Sequence, residues 1–462
     1  MGERDDYKFL EIRDAIASIN QKVNLIGVVI EYGLPKQTRG TDCHCTLKIA
    51  DESYQHPGIS VNVFAGSFDM LPRVASLGDI IQLSHVVMKS HGSEVFAVFN
   101  KKFSTFALYN GKEDEHPLPY QTYPKFRPRE LDKKFVTGLR NWLVHLHLDG
   151  DSTNFLFVRD LKEGKSIDLF CKILHLCEDA KGEWMAFVWD GTDARPNVLS
   201  TRLEDERENP LPLHLESFPL PRNVLCNFPV VGTVLRVVFD QGFKRHLLHL
   251  LNAGQWVKLI NVFCEVQAGL WRGVLTPVTK LRYTPSWDNL VLERQRLFDK
   301  RLSLQWGRNP FWSFPWTSRV TEVDCDDAPF ATLMEALTYP EVTAKFRCVV
   351  RVLAAFPWKA KDFCCSRGIY RIRLTLEDPT ARIHAYLYAE DGEKFFGGHP
   401  SVDVLTSKRN ALLGITANDD KEINGAARNP PWVQCCLKSY YLTKSDIWGS
   451  RHFRIFGTKV VE

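Results

Sequence analysis

The chain has 462 residues, of which 44% are apolar, and a formal net charge of +4. This length allows roughly three domains of about 150 residues, and no apolar run approaches the ~20 residues of a membrane-spanning helix. The small net charge does not indicate indiscriminate binding of polyanions such as duplex DNA, so any nucleic-acid site is expected to be local. The charged N-terminus does not resemble a secretory signal, which predicts a cytosolic or nuclear protein. Its twelve cysteines are then expected to be thiols or metal ligands and not disulfides.

The first part of the chain predicts a short helix followed by five strands. Residues 7–19 carry apolar side chains at helical spacing. Strands are predicted near residues 23–30, 45–51, 58–64, 80–88 and 95–100, with a short helix at 67–74. Five short strands separated by turn signals in about 90 residues favour a closed barrel, and the OB-fold is the common five-stranded case.

Two further blocks repeat this organisation. A proline-rich connector at 116–129 and a helix at 131–148 precede strands expected near 169–177, 184–190, 230–240, 256–267 and 272–281. A stretch rich in arginine, tryptophan and proline and a short helix at 330–337 lead into the third block. The sequence therefore predicts a mainly β fold of three OB-fold barrels in tandem with short connecting helices. The predicted domains are 1–125, 126–300 and 343–462, with a linker at 301–342.

Each block contains a hairpin in which an acidic turn separates two strands. The paired segments are residues 45–51 with 58–64, 184–191 with 195–199, and 370–377 with 381–388. Asp51, Asp190 and Glu377 lie at the turns, where a carboxylate is expected to cap local amides. The repeat supports one architecture used three times.

Strand alternation in the first hairpin separates a core face from a solvent face. The predicted outward residues are His44, Thr46, Lys48, Ser60, Asn62 and Phe64. Phe64 is the one aromatic carbocycle in this polar set, and a base stacked on an exposed ring gains about 1–3 kcal/mol. Phe64 is therefore predicted to be a base-stacking platform, with the alternative that it ends its strand beneath the next loop.

The third hairpin has a basic and aromatic outward face, consisting of Arg371, Arg373, Arg382, His384, Tyr386 and Tyr388. Nucleic acid favours this mixture, but tyrosine and arginine are also enriched in protein interfaces, so the pattern leaves both ligands open. In the second hairpin, apolar and aromatic residues stand at both odd and even strand positions. This pattern predicts that both faces of the hairpin are buried.

Five segments resemble the protection of telomeres protein 1 family, and most closely its plant members. They are Asn24-Leu-Ile-Gly-Val-Val, Gly40-Thr-Asp42, Val61-Asn-Val-Phe-Ala-Gly66, Phe187-Val-Trp-Asp-Gly-Thr192 and Arg428-Asn-Pro-Pro-Trp-Val-Gln-Cys-Cys436. The resemblance covers nearly the whole chain. It implies that two N-terminal OB-folds bind the G-rich single-stranded telomeric overhang and that the C-terminal OB-fold binds partner proteins.

The resemblance also implies roles for individual residues. Thr41 and Asp42 match a loop that contacts base edges, and Phe64 matches the stacking aromatic of the third strand. Phe239 and Asp240 resemble a Tyr-Asp pair that contacts DNA, and Trp189 is a structural position. His91 stands near the end of the fourth strand, where the family usually has an aromatic residue.

Basic residues beside these positions are candidates for phosphate contacts. Lys36 and Arg39 precede the Gly-Thr-Asp loop, and an arginine fork can also pair with guanine O6 and N7. Lys244 follows the Phe239-Asp240 pair. The alternative for all three is an ordinary surface charge that aids solubility.

Four cysteines of the third block are weaker candidates for a zinc site. Cys364, Cys365, Cys435 and Cys436 supply enough thiols, but adjacent cysteines on a strand point to opposite faces. Buried structural thiols are the default expectation, and no metal or other cofactor is predicted. The sequence contains no phosphate-binding glycine loop, HExxH helix or serine elbow, so it does not predict an enzyme.

Together with the residue patterns, the family resemblance implies a nuclear, non-catalytic protein of the telomeric region of chromosomes, with no membrane association. It would bind G-rich single-stranded DNA, protect the chromosome end and regulate telomerase access and telomere length. The binding residues would be Lys36, Arg39, Thr41, Asp42, Thr46, Lys48, Asn62, Phe64, His91, Phe239, Asp240 and Lys244, and the partner surface Arg371, Arg373, Arg382, Tyr386 and Tyr388. Telomerase is an expected partner, and the CST complex a further candidate. The alternatives are a telomerase- or CST-associated interaction protein with weak DNA binding, and a general single-strand binder similar to replication protein A.

Overall fold

The computed structural model describes most of the chain. The described residues are 8–33, 35–112, 118–144, 155–178, 182–194, 199, 201–206, 220–226, 228, 234–239, 250–267, 270–303, 319–325, 327–415 and 428–461. Within these ranges strands are the dominant element, and no described helix is long and apolar enough to cross a membrane.

The N-terminal barrel is built from five strands that pair in a ring. Its region contains α1 (Ile12–Ala17), β1 (Lys22–Gly33), β2 (Lys36–Gln37), β3 (Cys43–Asp51), β4 (Tyr54–Ala65), a 3-10 turn (Phe68–Met70), β5 (Ile80–His91), β6 (Glu94–Phe99), β7 (Thr105–Tyr109), β8 (Gln121–Thr122) and α2 (Glu130–Val144). β1 pairs with β3, β3 with β4, β4 with β6 in parallel, and β6 with β5, which returns to β1. Alternate side chains of β3 and β4 fill the interior, as the period of two predicts.

The middle domain follows the same pairing order. It contains a 3-10 turn (Val158–Asp160), β9 (Lys165–Glu178), β10 (Trp184–Trp189), a 3-10 turn (Glu204–Glu206), α3 (Arg222–Leu225), β11 (Leu235–Phe239), β12 (Trp256–Gln267), β13 (Leu270–Leu275), β14 (Lys280–Arg282) and α4 (Asn289–Ser303). β9 pairs with β10, β10 with β11, β11 with β13 in parallel, and β13 with β12, which pairs with β9. β14 pairs with β12 on one side and with β1 on the other, so it joins the middle domain to the N-terminal barrel.

The C-terminal barrel closes in this order as well. Its region contains β15 (Thr321–Val323), α5 (Leu333–Leu337), β16 (Lys345–Phe356), a 3-10 turn (Ala360–Asp362), β17 (Arg371–Glu377), β18 (Arg382–Tyr388), α6 (Glu390–Phe396), α7 (Val402–Leu413), β19 (Trp432–Tyr441), β20 (Arg451–Phe456) and β21 (Thr458–Val460). The pairing order 1-2-3-5-4 is that of the OB-fold. The predicted mainly β fold with closed five-stranded OB-fold barrels is confirmed, whereas the number of three barrels and the exact domain boundaries remain predictions.

The long helix α4 was not predicted from the sequence. Its buried positions are Val291, Arg294, Phe298 and Arg301, which recur at helical spacing. Two of the four are arginines, which normally mark a solvent face, so the apolar periodicity is too weak to reveal the helix. The predicted linker from residue 301 therefore begins inside this element.

An aspartate at the hairpin turn connects each domain to its own leading helix or 3-10 turn. In the N-terminal barrel, Asp51 Oδ1 accepts hydrogen bonds from the amides of Ser53 (3.0 Å) and Tyr54 (2.9 Å), and Oδ2 accepts from the amide of Ile12 (2.7 Å), the first residue of α1. In the middle domain, Asp190 accepts from Thr192 N and Val158 N, both at 2.8 Å. Each carboxylate thus satisfies donors of both the turn and the helix start, which would otherwise lack partners.

In the C-terminal barrel this role belongs to Asp378, so the prediction of Glu377 as the turn acid was wrong by one residue. Asp378 Oδ1 accepts from the amides of Thr380 (2.8 Å) and Ala381 (2.9 Å), and Oδ2 accepts from Leu333 N at 2.7 Å. We call Asp51, Asp190 and Asp378 the turn aspartates. A Ser or Thr hydroxyl two residues later also donates to each of them, which defines an Asp-x-Ser/Thr motif in all three domains.

Glu31 forms an ion-pair network at the junction between the N-terminal barrel and the middle domain. Its carboxylate is buried and accepts from Lys280 Nζ at 2.8 Å and Arg282 Nη2 at 2.9 Å, both on β14. Burial opposes ionisation of Glu31, but the two cations and Lys48 outweigh it, and the pKa of the carboxyl is lowered. A lowered pKa stabilises the folded state above the ordinary glutamate value of about 4.3, and this contribution is lost as the pH falls.

We therefore expect Glu31→Gln to lower the free energy of unfolding by about 1–3 kcal/mol at neutral pH, because a buried charge-assisted interaction is lost. The loss should shrink in acid, where wild-type Glu31 also becomes protonated. Urea unfolding at pH 7 and about pH 3.5 tests this, with exposed Glu52→Gln as the matched control. An equal loss at both pH values would contradict the ion-pair explanation.

Candidate nucleic-acid interface

The outward side chains of β3 and β4 form a continuous half-buried surface, as alternation predicted. Cross-strand register places His44 opposite Phe64, Thr46 opposite Asn62, and Lys48 opposite Ser60. All six residues are intermediate in burial, while their strand neighbours point into the core. We call these six residues the N-terminal face. It combines ring, amide, hydroxyl and cationic groups on adjoining strands, which suits stacking and edge hydrogen bonds to unpaired bases.

Phe64 lies beside a second ring on this face. Its centroid is 4.6 Å from that of His44, with 36° between the ring planes. Burial, with a smaller contribution from nearby Lys36, lowers the pKa of His44 despite its contact with Asn62, which favours the neutral imidazole. Neighbouring rings of this kind form a pre-ordered apolar surface wider than one phenyl group.

Polar side chains beside the rings are held by short contacts. Asn62 Oδ1 lies 3.2 Å from Thr46 Oγ1, which donates to it, and 3.3 Å from His44 Nε2. These contacts fix the amide of Asn62 in the middle of the N-terminal face. A fixed donor and acceptor pair next to a stacking ring is able to read a base edge.

The loop before β3 carries the predicted Gly-Thr-Asp segment. Lys36 lies on β2 opposite His44, and Lys36, Arg39 and Thr41 are exposed. Thr38 closes the loop because its backbone amide and Oγ1 both donate to Asp42 O, at 2.9 and 2.6 Å. Asp42 itself forms an ion pair with Lys101 at 2.6 Å. A base edge that uses the Asp42 carboxylate must therefore compete with Lys101, a residue that the sequence did not single out.

Phe96 is an aromatic residue of this region that sequence reasoning missed. It lies half-buried on β6, and the register places it beside Ser60 on β4 and Lys89 on β5. The row Lys48, Ser60, Phe96, Lys89 thus extends the N-terminal face across four strands. The signal was present in the alternation of residues 95–99, where Ala97 and Phe99 are buried and Phe96 and Val98 are not.

Other predicted DNA contacts have different outcomes. His91 is exposed at the end of β5, opposite Glu94. Phe239 is 4% exposed and packs in the core. Its proposed surface role needs correction, because Leu235, Val237 and Phe239 share the inward parity of β11. Asp240 and Lys244 lie outside the described residues. Trp189 is buried and donates its indole N–H to Thr192 O at 2.6 Å, which is a structural contact.

The third hairpin presents most, but not all, of its predicted outward residues. Arg371 and Tyr388 are exposed, and Arg373 and Tyr386 are half-buried. Arg382 is 1% exposed and forms a buried ion pair with Glu377, so its assignment to a partner surface was wrong. The strand pattern cannot distinguish an exposed arginine from one that is buried with a carboxylate across the hairpin.

The four candidate zinc thiols do not converge. Cys435 and Cys436 are buried on β19, whereas Cys364 and Cys365 lie between β16 and β17. Across the described ranges, no group of three or more His, Cys, Asp or Glu side chains is placed to hold a metal ion. Burial raises the pKa of the Cys436 thiol to about 12, which is typical of a structural cysteine.

Comparison with known proteins agrees with the geometry. Residues 3–147 match the family model described as "Telomeric single stranded DNA binding POT1/CDC13", and residues 316–446 match "POT1A-like, OB fold domain". Two relatives in Arabidopsis thaliana match almost end to end. Protection of telomeres protein 1b is 44% identical over 458 residues, covering 98% of each chain. Protection of telomeres protein 1a is 40% identical over 479 aligned positions, covering 99% of each.

More distant relatives match a shorter region. Human Protection of telomeres protein 1 is 25% identical over 170 residues, which is 37% of this chain and 26% of the human protein. The near end-to-end identity with the plant proteins confirms the resemblance seen in the five sequence segments. This chain belongs to the Protection of telomeres protein 1 family.

Proposed function

We propose that this protein binds G-rich single-stranded telomeric DNA through its N-terminal face, protects the chromosome end and regulates telomerase access and telomere length. The proposal includes action in the nucleus, at the telomeric region of chromosomes, without catalysis. Telomerase is the proposed functional partner, and the CST complex a further one. Residues 3–147, which match a telomeric single-strand binding family, include the whole N-terminal face.

The observation that carries the proposal is the Phe64 and His44 ring pair beside the fixed Asn62 amide. Single-stranded DNA exposes base faces and base edges together, so a site with both a ring and an oriented amide can select among sequences. Lys36 lies opposite His44, Lys48 lies opposite Ser60 on the same face, and Lys89 lies beside Phe96, and these cations are able to neutralise phosphates. Three lysines are few compared with a broad basic surface, which agrees with a local binding site.

Phe64→Ala is expected to weaken binding of a plant-type telomeric G-strand oligonucleotide by about 1–3 kcal/mol, because it removes a stacking surface. Fluorescence anisotropy at stated salt measures this effect. Phe64→Tyr is the matched control, since it retains the ring and should retain most of the affinity. A Phe64→Ala protein that binds as tightly as the parent would contradict the stacking role.

Sequence selection is tested in the same assay. The G-strand oligonucleotide should bind more tightly than its C-rich complement and a scrambled strand of the same length. Equal affinity for all three would instead support a general single-strand binder.

A second candidate is an interaction protein associated with telomerase or CST that has weak DNA affinity. His91 favours this candidate, because it occupies a position where the family usually presents an aromatic residue. It predicts no measurable G-strand binding while telomerase activity still co-purifies with the full chain. G-strand binding that depends on Phe64 would exclude it.

A further inference from the structure

The C-terminal barrel carries a second basic and aromatic surface on strands β17, β18, β20 and β19. Register aligns Arg373, Tyr386, Arg454 and Lys438 in one row across these four strands. The neighbouring row contains His384, and further positions add Arg371, Tyr388, His452 and Tyr440. We call these nine residues the C-terminal face. None of them is fully buried, and Tyr388 is 55% exposed.

The rings of this face adjoin one another across strands. His452 lies between two tyrosines, with its centroid 5.6 Å from Tyr386 and 5.9 Å from Tyr440. At the edge, the Arg371 guanidinium lies 5.8 Å from the centroid of Tyr388. The rings on β18, β20 and β19 thus form a ladder of flat side chains. Tyr388 adds one more ring at its edge, in contact with Arg371. Successive bases of an unpaired strand stack on surfaces of this kind.

Charge on the C-terminal face is predominantly positive. The face contributes Arg371, Arg373, Lys438 and Arg454. Two acids contact it, since Glu206 lies 3.6 Å from Arg373 and Asp391 lies 2.6 Å from Arg454. Arg371 and Lys438 are exposed. A polyanionic ligand complements this excess of cations.

The location within the barrel favours the same ligand. In the OB pairing order, β17 and β18 correspond to β3 and β4, which carry Phe64 and the N-terminal face. Oligonucleotides commonly bind the strand 2 and 3 face of OB-folds. A protein interface has a core depleted in charged residues, and lysine in particular. The central row of the C-terminal face instead contains Lys438, which is exposed beside Arg454.

We propose that the C-terminal face is a second binding site for single-stranded nucleic acid, separate from the N-terminal face. The ladder of Tyr386, His452 and Tyr440 stacks bases, Tyr388 stacks one more, and Arg371 and Lys438 contact phosphates. This proposal does not depend on whether the N-terminal face selects a DNA sequence. It would stand even if that face bound all single strands equally.

The test uses the full chain in two backgrounds, the parent and Phe64→Ala. In the Phe64→Ala background, Tyr388→Ala should weaken the remaining binding about 5-fold or more, since one stacked base is lost. In the parent, where the N-terminal face still binds, it should weaken the second binding event. Tyr388→Phe is the matched control and should bind within about 2-fold of its parent because it keeps the ring. Circular dichroism and thermal unfolding establish that each variant is folded.

Charge reversal provides an independent variant. Arg371→Glu should weaken binding and reduce its salt dependence, whereas Lys134→Glu, an exposed change on α2, should have a smaller effect. DNA and RNA strands of the same sequence are compared to distinguish the two sources of ligand. Ultraviolet crosslinking followed by peptide mapping should recover residues from β17 to β20.

Two results would overturn the proposal. In the first, folded Tyr388→Ala and Arg371→Glu proteins in the Phe64→Ala background bind DNA and RNA as tightly as Phe64→Ala alone, even if they lose a co-purifying protein. The other is complete loss of binding to both strands in the Phe64→Ala background, which would leave no activity at the C-terminal face. Neither result contradicts G-strand binding by the N-terminal face, and the second would assign all of the binding to that face.

Discussion

Arg301→Ala should lower the free energy of unfolding by about 3–5 kcal/mol, because it removes one partner of a buried ion pair. Arg301 Nη2 donates to Asp193 Oδ2 at 3.0 Å, and the two side chains are 1% and 0% exposed. The guanidinium also lies 5.8 Å from the ring centroid of Trp189. Truncation leaves the Asp193 carboxylate in a low-dielectric site without this cation, in addition to opening a cavity.

Urea unfolding monitored by tryptophan fluorescence is a suitable measurement, with the transition of the middle domain followed by Trp189 and its neighbours. Arg296→Ala is the matched control, since Arg296 is exposed on the same helix, and it should change stability by no more than about 0.5 kcal/mol. In the double variant Arg301→Met with Asp193→Ala, the loss should be smaller than in Arg301→Ala, because both charges of this pair are removed together. Similar losses for Arg301→Ala and Arg296→Ala would contradict this view of the pair.

Asp378→Ala is expected to destabilise the C-terminal barrel by about 3 kcal/mol, since several buried donors lose their acceptor together. The amides of Leu333, Thr380 and Ala381 and the Thr380 hydroxyl all donate to this carboxylate. Asp378→Asn should cost less, because one acceptor oxygen remains. The unfolding temperatures of both variants are compared with that of Glu341→Ala, a control substitution at an exposed residue of the same region. If Asp378→Ala and Glu341→Ala unfold at the same temperature, the turn aspartate has no structural role.

The pH dependence of Asp378 has a definite sign. Burial raises the pKa of this carboxyl to about 6, against the opposing effect of its hydrogen-bond donors. A raised folded-state pKa means that the folded protein binds the proton more tightly than the unfolded chain, whose value is about 3.9. The associated stability is present below about pH 4 and is lost as the pH rises through about 6. Asp378→Asn should remove this part of the stability profile, and an unchanged profile would contradict the assignment.

Sequence alternation predicted the N-terminal face well because one side of β3 and β4 is in the core and the other is half-exposed. The period of two is then a direct record of burial. It failed for Arg382, since a buried carboxylate lies directly across the hairpin and makes a buried charge acceptable on the outward parity. It failed for α4 for a related reason, because Arg294 and Arg301 occupy buried positions that the pattern assigns to solvent.

Family resemblance and residue patterns made different errors. Resemblance suggested that Phe239 contacts DNA, whereas inward parity with Leu235 and Val237 places it in the core. Phe96 lies on β6, outside the first hairpin, so the alternation of β3 and β4 alone does not predict it. Lys101 reaches Asp42 from a position 59 residues away, and such a long-range ion pair leaves no local signal in the sequence.

The turn aspartates bear on how this chain can be divided into fragments. Each one bonds to the first residue of a helix or 3-10 turn that precedes its own barrel, at Ile12, Val158 and Leu333. A C-terminal fragment that starts at residue 343 would carry Asp378 without the Leu333 amide and would expose the apolar surface that α5 covers. Expression of the C-terminal barrel by itself should therefore begin upstream of Thr332, whose side chain caps α5, and the short helix assigned to the linker is better treated as the first element of that unit.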